Sequence, residues 1–264
     1  MRIRVIGSGS SGNVLYVEAD DTRVLVDIGL SARETARRLG ECGIDPTSID
    51  GILLTHEHGD HAKGVSVFAR TYDVPVYTSS ATRLACQFGR FEAKIEFREI
   101  ASSEDFQVGA LDFHPFVVPH DAVDSFAFTV EHGGAKVALV TDLGYITQLV
   151  CERVRGADVL ILESNHDVEM LKICPHYPWS LKQRVLSKHG HLSNDHVADF
   201  LARDFDGKAE HVVLAHLSKN TNYPELARLS AVQALEQRGS LFFRDPERRV
   251  TLADPDAPGP WIDL

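Results

Sequence analysis

The chain has 264 residues, 44% hydrophobic and 25% charged, an ordinary globular composition that suits one large α/β domain better than two independent ones. No stretch approaches the roughly 20 apolar residues that cross a bilayer, and Met1-Arg-Ile-Arg-Val-Ile-Gly7 reads as a strand without the apolar core of a secretory signal. Cys42, Cys86, Cys151 and Cys174 lack CxxC spacing, which excludes a disulfide framework and points to reduced thiols in the cytoplasm, and the net charge of −11 argues against a chain-wide basic footprint.

Four β-rich runs open the chain, at 2–6, 13–19, 23–27 and 51–55, each bounded by Gly, Asp or Ser. Between the first two, Gly7-x-Gly9-x-x-Gly12 matches the dinucleotide fingerprint, with Asp27 further on. That fingerprint needs a helix starting at its third glycine to hold a pyrophosphate. Here a strand follows, so the motif reads as a glycine-permitted hairpin. Ser31-Ala-Arg-Glu34 is a capping-box pattern, and Gly40 is expected to close the helix it opens.

The strongest signal, His56-Glu-His58-Gly-Asp60-His61, follows the fourth run. Three imidazoles and a carboxylate in six residues cannot all face one cation. They suit two neighbouring divalent ions bound by nitrogen and oxygen. His56-Glu57 also begins like HExxH, but Asp60 stands where the second His belongs, which excludes a zincin.

Further strands are expected at 111–118, 125–131, 136–141, 158–163 and 211–215. Ser193 or Asn194 caps a helix with Val197, Phe200, Leu201 and Phe205 on one face. Pro224 sits in the first turn of another, with Leu226, Leu229 and Leu235 on its apolar side. Strands, helices, then the same again suggest two sheets face to face with helices outside. From Met170 to Asn194 there is no acidic residue, while Lys172, Lys182, Arg184, Lys188 and three histidines fall in that window. A local anion-binding patch and a solvated helix face are both open readings of it.

HxHxDH after a buried strand resembles the signature of the metallo-β-lactamase superfamily. Val26-Asp27-Ile-Gly29, His120 at a strand end, Thr141-Asp142-Leu-Gly144 and Ala215-His216-Leu-Ser218 follow in the expected order. Within it the chain is similar to the YycJ (WalJ, VicX) group. The shared features are Gly7-Ser-Gly-Ser-Ser-Gly-Asn13, His120-Asp-Ala122, Glu163-Ser-Asn-His-Asp167, Tyr177-Pro-Trp179, Gly190-His-Leu-Ser-Asn194 and His216-Leu-Ser-Lys-Asn220. The resemblance covers roughly residues 1 to 230. It departs at Val123-Asp-Ser-Phe126, where a Pro and then a Gly are expected before the aromatic, so the shape of that loop is in question.

The resemblance implies an αββα four-layer sandwich, a single domain over 1–264 with two similar halves of about 1–110 and 111–264. It implies that His56, His58 and His120 hold one metal, that Asp60, His61 and His216 hold the other, and that Asp142 bridges them. Asp27 orients a ligand through a hydrogen bond. Zinc, manganese and iron all accept such a set. Two ions sharing a water lower its pKa, so the expected nucleophile is a metal-bridging hydroxide, with Asp60 and Asp142 at the catalytic centre. His191 is the expected general acid, by likeness to the His-Ser-Thr element of tRNase Z-like phosphodiesterases. Asn165, Lys182, Arg184, Lys188 and Lys219 are the expected substrate contacts. Asn165 and His166 lie near the groove by the same analogy, although His166 also reads as a surface residue. Trp179 either stacks on a base or packs a loop, the second being the preferred reading.

The function so implied is a metal-dependent nuclease with nucleic acid as substrate, a 5′→3′ DNA exonuclease in its narrowest form. A glyoxalase II-like thioesterase is the enzymatic rival, and a non-catalytic, metal-stabilised regulatory module the rival of another class. No membrane partner is expected, and assembly into a homo-oligomer is left open.

Overall fold

Val24 and Val26 leave their strand on one side and Leu25 on the other, yet all three are buried, the two valines in one apolar cluster and the leucine in another. A strand buried on both faces must lie between two layers. The computed structural model, which describes residues 1–102, 104–239 and 244–264, shows this for both sheets.

The first sheet is built from β1 (Arg2–Gly7), β2 (Val14–Ala19), β3 (Thr22–Val26), β4 (Gly51–Leu53), β5 (Val76–Thr78) and β6 (Phe97–Glu99). The second takes β7 (Phe106–Val108), β8 (Leu111–Val117), β9 (Phe126–His132), β10 (Ala135–Val140), β11 (Val159–Glu163), β12 (His211–Ala215) and β13 (Val250–Leu252). A final strand, β14 (Ile262–Asp263), returns to pair with β1 at the first sheet's edge. The orders are β14-β1-β2-β3-β4-β5-β6 and β13-β12-β11-β10-β9-β8-β7. Each sheet changes from antiparallel to parallel partway across, at β3 and at β10.

Three cores follow from the layering. Leu139, Ile161 and Val213 lie in register across β10, β11 and β12, in the cluster between the sheets with Phe113 and Phe128. Ala138, Leu160 and Val212 alternate with them and face the helices Gln148–Val154, Asn194–Arg203 and Pro224–Arg238. Leu25, Ile52 and Val76 of the first sheet meet the helices Ala32–Glu41 and Val65–Tyr72. The expected αββα sandwich is the one observed.

All nine expected strands are present, with ends shifted by a residue or two. The unforeseen β5, β6, β7, β13 and β14 have three residues or fewer, too short to show a period. Gly7-x-Gly9-x-x-Gly12 joins the antiparallel pair β1–β2, as a hairpin must. The four cysteines are free thiols. Among the described residues no helix is long and apolar enough to cross a membrane.

Two helix expectations need correction. Ser31 accepts from the Glu34 amide as a cap, but the Glu34 carboxylate pairs with Arg37 and Arg38 instead of reaching back. The helix also runs through Gly40 to Glu41, and the left-handed turn falls at Gly43, φ 76°. In Pro224–Arg238 the buried face is Ala227, Ala231, Val232, Ala234 and Leu235, while Leu229 is 49% exposed and Leu226 half-buried. Small residues let this helix lie close on Asn194–Arg203, so size and not hydrophobicity chose the inner face.

Because Gly40 is interior to a helix and a Cβ there meets nothing within 4 Å, Gly40→Ala is expected to stabilise the protein by about 0.5–1 kcal/mol. The urea midpoint measures it; an unchanged or lower midpoint would contradict the placement of this glycine.

Candidate metal centre

Asp27, Asp142 and His216 stand just past the ends of β3, β10 and β12, and all three have left-handed backbone, φ 60°, 60° and 56°. Non-glycine residues rarely adopt this conformation, and it costs free energy that the surroundings must offset. At a strand end it turns the chain sharply, so that side chains from neighbouring parallel strands converge.

The hexad follows β4, and His58 begins the short helix Gly59–Ala62 that carries Asp60 and His61. This loop is clamped to the β1–β2 hairpin and the segment after β3. The Asn13 amide donates to the Asp60 carbonyl at 2.8 Å and the Ile28 amide to the His61 carbonyl at 2.9 Å. A Cβ on Gly29 would sit 1.6 Å from the Asp60 oxygen, so only glycine permits the approach. Asn13 also accepts from Ser8 Oγ and the Gly9 amide, and Ser8 Oγ accepts from the His216 amide at 2.8 Å. The glycine-rich hairpin thus ties the hexad to the end of β12.

The result is a cluster with interlocking donor sets. His56, His58 and His120 form one group whose ligand atoms all lie within 4.8 Å; Asp60, His61 and His216 form a second; Asp142 joins His56 and His61 in a third. His120 Nε2 is 3.2 Å from His58 Nδ1, His216 Nε2 is 3.1 Å from Asp60 Oδ2, and His61 Nε2 is 3.1 Å from Asp142 Oδ2. His56 Nε2 is buried without a hydrogen-bond partner, and the equally buried Asp142 Oδ2 faces only the ring nitrogen of His61 among the described residues. Buried polar atoms are nearly always satisfied, so orphaned donor atoms converging on one place, in a His/Asp set, fit divalent cations.

The electrostatics agree. Burial, reinforced by His61, holds His56 well below the usual histidine range. Burial likewise opposes charge on His61 and His216, but Asp142 with Asp27, and Asp142 with Asp60 and Glu163, overcome it and raise both. Asp60 resists the same burial through His216 and His61, and falls to about 2. Asp27 accepts from the Thr55 amide, Thr55 Oγ1 and His61 Nδ1, the last at 2.7 Å, leaving His61 Nε2 toward the cluster.

Glu163 was not among the expected site residues. Fully buried at the end of β11, it lies 2.7 Å from His191 Nδ1 and 2.9 Å from His216 Nδ1 through one oxygen. Its other oxygen accepts from the amides of Leu143 and Leu192. His191 and His216 keep it ionised against burial, at about 2. An acid closing the apolar run Val159–Glu163 was the available signal.

A cleft of about 280 Å³ opens over the cluster, lined among others by His58, Asp60, Asp121, Asp142, Arg184 and His191. Arg184 alone of the four expected basic contacts is on its wall. Lys182 donates to the Lys172 carbonyl, Lys219 pairs with Asp256, and Lys188 is exposed away from the lining. Asn165 is buried, its amide on the His216 carbonyl, so it supports the β12 end and does not face the cleft. His166 is 1% exposed, which overturns its surface reading. Trp179 is 65% exposed, against its expected role in packing a loop. In the divergent loop, the Val123 amide donates to Glu57.

A two-sheet sandwich with this His/Asp cluster at the strand ends defines the metallo-β-lactamase class. The chain belongs to that superfamily: residues 22–217 match the family described as beta-lactamase superfamily domain. It is 39% identical over 240 residues, 90% of either chain, to exodeoxyribonuclease YycJ of Bacillus anthracis. It is 37% identical to exodeoxyribonuclease WalJ of Streptococcus pneumoniae serotype 2, over 88% of this chain and 87% of that one. The metallo-β-lactamase fold protein YhfI of Bacillus subtilis has the same fold, with a TM-score of 0.74 at 17% identity and 99% coverage of each chain.

Gly29→Ala is expected to push the Asp60 carbonyl away and weaken divalent-cation affinity by at least about tenfold, as read by zinc or manganese titration. Wild-type affinity in that variant would show that the close approach is dispensable.

Proposed function

We propose that the protein is a DNA exonuclease that hydrolyses phosphodiesters with two divalent cations, digesting 5′→3′ as the YycJ-like resemblance implies. The observation that carries the reading is the composition of the cleft. His58, Asp60 and Asp142 of the donor cluster line it, and beside them stand a guanidinium and an imidazole backed by a buried carboxylate. Near-full-length similarity to proteins named exodeoxyribonucleases supports it.

In this reading His56, His58 and His120 hold one cation, Asp60, His61 and His216 the other, and Asp142 both; zinc, manganese or iron suits the set. When bound, the cations supply a lowered water pKa and Lewis acidity toward a phosphoryl oxygen. The chain's own groups do the rest. Arg184 binds a non-bridging phosphate oxygen pair, for which its planar fork is matched. His191, with Nδ1 held by Glu163, presents Nε2 to the leaving alkoxide and donates the proton it needs. Burial lowers the affinity of His191 for that proton, and Glu163 together with Asp142 outweighs it and raises the affinity overall. Asp27 and Glu163 keep the Nε2 atoms of His61 and His216 aimed at the cations. Free thiols at all four cysteines fit a reducing cytoplasm.

The test is a turnover assay of zinc- and manganese-loaded protein on end-labelled single- and double-stranded DNA and RNA, bis-p-nitrophenyl phosphate and S-lactoylglutathione. DNA shortening from the 5′ end, abolished in Asp142→Ala, is the expected result. Thioester turnover without phosphodiester cleavage would sink the nuclease in favour of a thioesterase, and silence on every substrate with cations bound would favour a regulatory module.

Glu163→Gln is expected to cost roughly 10- to 100-fold in both cation affinity and DNA turnover. A loss of turnover with affinity intact would confine Glu163 to His191 alone.

A further inference from the structure

Asp121 is a carboxylate in the cleft that the cation cluster does not use. Of the acids on the cleft wall, Asp60 and Asp142 belong to the donor groups, whereas Asp121 belongs to none of them. Its Oδ2 accepts from Arg184 Nε, and its Oδ1 is 3.5 Å from His120 Nε2 and 3.9 Å from His58 Nε2. The site that is to receive an anion therefore has its one guanidinium already neutralised.

Both partners are partly open to water, Arg184 at 54% and Asp121 at 27%. An ion pair so exposed is weak and exchangeable. The backbone beneath Arg184, by contrast, is fixed. A Cβ on Gly190 would sit 2.3 Å from the Arg184 carbonyl, the His191 amide donates to Val185, and the Gly190 carbonyl lies 3.1 Å from His120 Nδ1. The guanidinium can change partner while its helix stays in place against His120 and His191. A phosphodiester offers two anionic oxygens to the same fork, and it offers them next to the donor cluster. A thioester brings no such anionic group at the reacting carbon.

Resting on the phosphodiesterase reading, we propose that Asp121 and Arg184 form an exchangeable latch across the cleft, opened when a substrate phosphate replaces the Asp121 carboxylate on Arg184. Asp121 is then a positioning residue that sets the affinity of the site, because every anion that binds Arg184 must first displace it at the same cost.

The experiment is a double-mutant cycle on the metal-loaded enzyme with Asp121→Asn, Arg184→Ala and the double variant. KM is read on bis-p-nitrophenyl phosphate, Kd on inorganic phosphate by calorimetry, and metal content on each protein. Asp121→Asn frees the guanidinium, so KM and the phosphate Kd are expected to fall roughly two- to fivefold. Arg184→Ala is expected to raise both roughly ten- to hundredfold, and the double variant to match Arg184→Ala alone. Arg184→Lys, which keeps the charge and loses the fork, is expected to lie between wild type and Arg184→Ala, and serves if an Asp121 variant fails to fold. Additive effects would mean that Asp121 acts by plain repulsion, and the latch is wrong. Loss of metal in Asp121→Asn would mean that it serves His58 and His120, and the latch is wrong again. Failure of the wild type on every phosphodiester would remove the underlying reading, an outcome distinct from both.

Discussion

Two buried carboxylates, one in each half of the sandwich, govern the geometry of the centre. Asp27, just past β3, takes the Nδ1 of His61; Glu163, closing β11, takes the Nδ1 of His216. An imidazole held at one nitrogen has its ring plane and tautomer settled, and only the other nitrogen can serve a cation. Both carboxylates are themselves held by backbone amides, Thr55 for Asp27 and Leu143 with Leu192 for Glu163. The sheets therefore position the histidines through rigid acids, and little is left to side-chain freedom.

The hexad was legible because its chemistry is packed into six residues, and the strands because apolar runs bounded by turn residues are a local signal. What escaped had no local signature that settled its role. Glu163 ends a run of apolar residues, and a lone acid at a strand end looks the same whether it faces solvent or two imidazoles. Asp121 was visible only as part of His120-Asp-Ala122, and its partner Arg184 is sixty-three positions away. Lys182, Arg184 and Lys188 read alike in sequence; the short helix Trp179–Val185 carries Lys182 and Arg184, Lys188 lies beyond it, and Arg184 alone of the three lines the cleft. Leu226 and Leu229 lost the inner face of their helix to alanines because close packing on Asn194–Arg203 is a tertiary demand. The glycine-rich hairpin was read correctly as a hairpin, but its tie from Ser8 to His216 joins positions more than two hundred residues apart.

The acidity of the chain is consistent with this arrangement. Asp60, Asp142 and Glu163 are all held ionised against burial by neighbouring histidines. A cluster of buried anions balanced by imidazoles is an expensive arrangement without divalent charge to complete it. The same negative charge that argues against a basic nucleic-acid footprint is thus partly invested in the donor cluster, where divalent cations, once bound, would reverse its local sign.

Attraction of a polyanion then has to come from the centre and from a small number of well-placed cations. Among the described residues on the cleft wall, Arg184 is the only lysine or arginine. If phosphate is read as proposed, through one guanidinium and two divalent cations, binding depends on geometry more than on net field, because contacts at hydrogen-bond distance survive salt that screens long-range attraction. The backbone of Arg184 is fixed through Gly190, the residue that precedes His191 and whose carbonyl meets His120, so in the proposed reading phosphate binding and proton donation fall on one rigid segment. A phosphodiester held by Arg184 as proposed would be presented to His191 and to the donor cluster by the same few peptide units, so that binding and alignment would be one event.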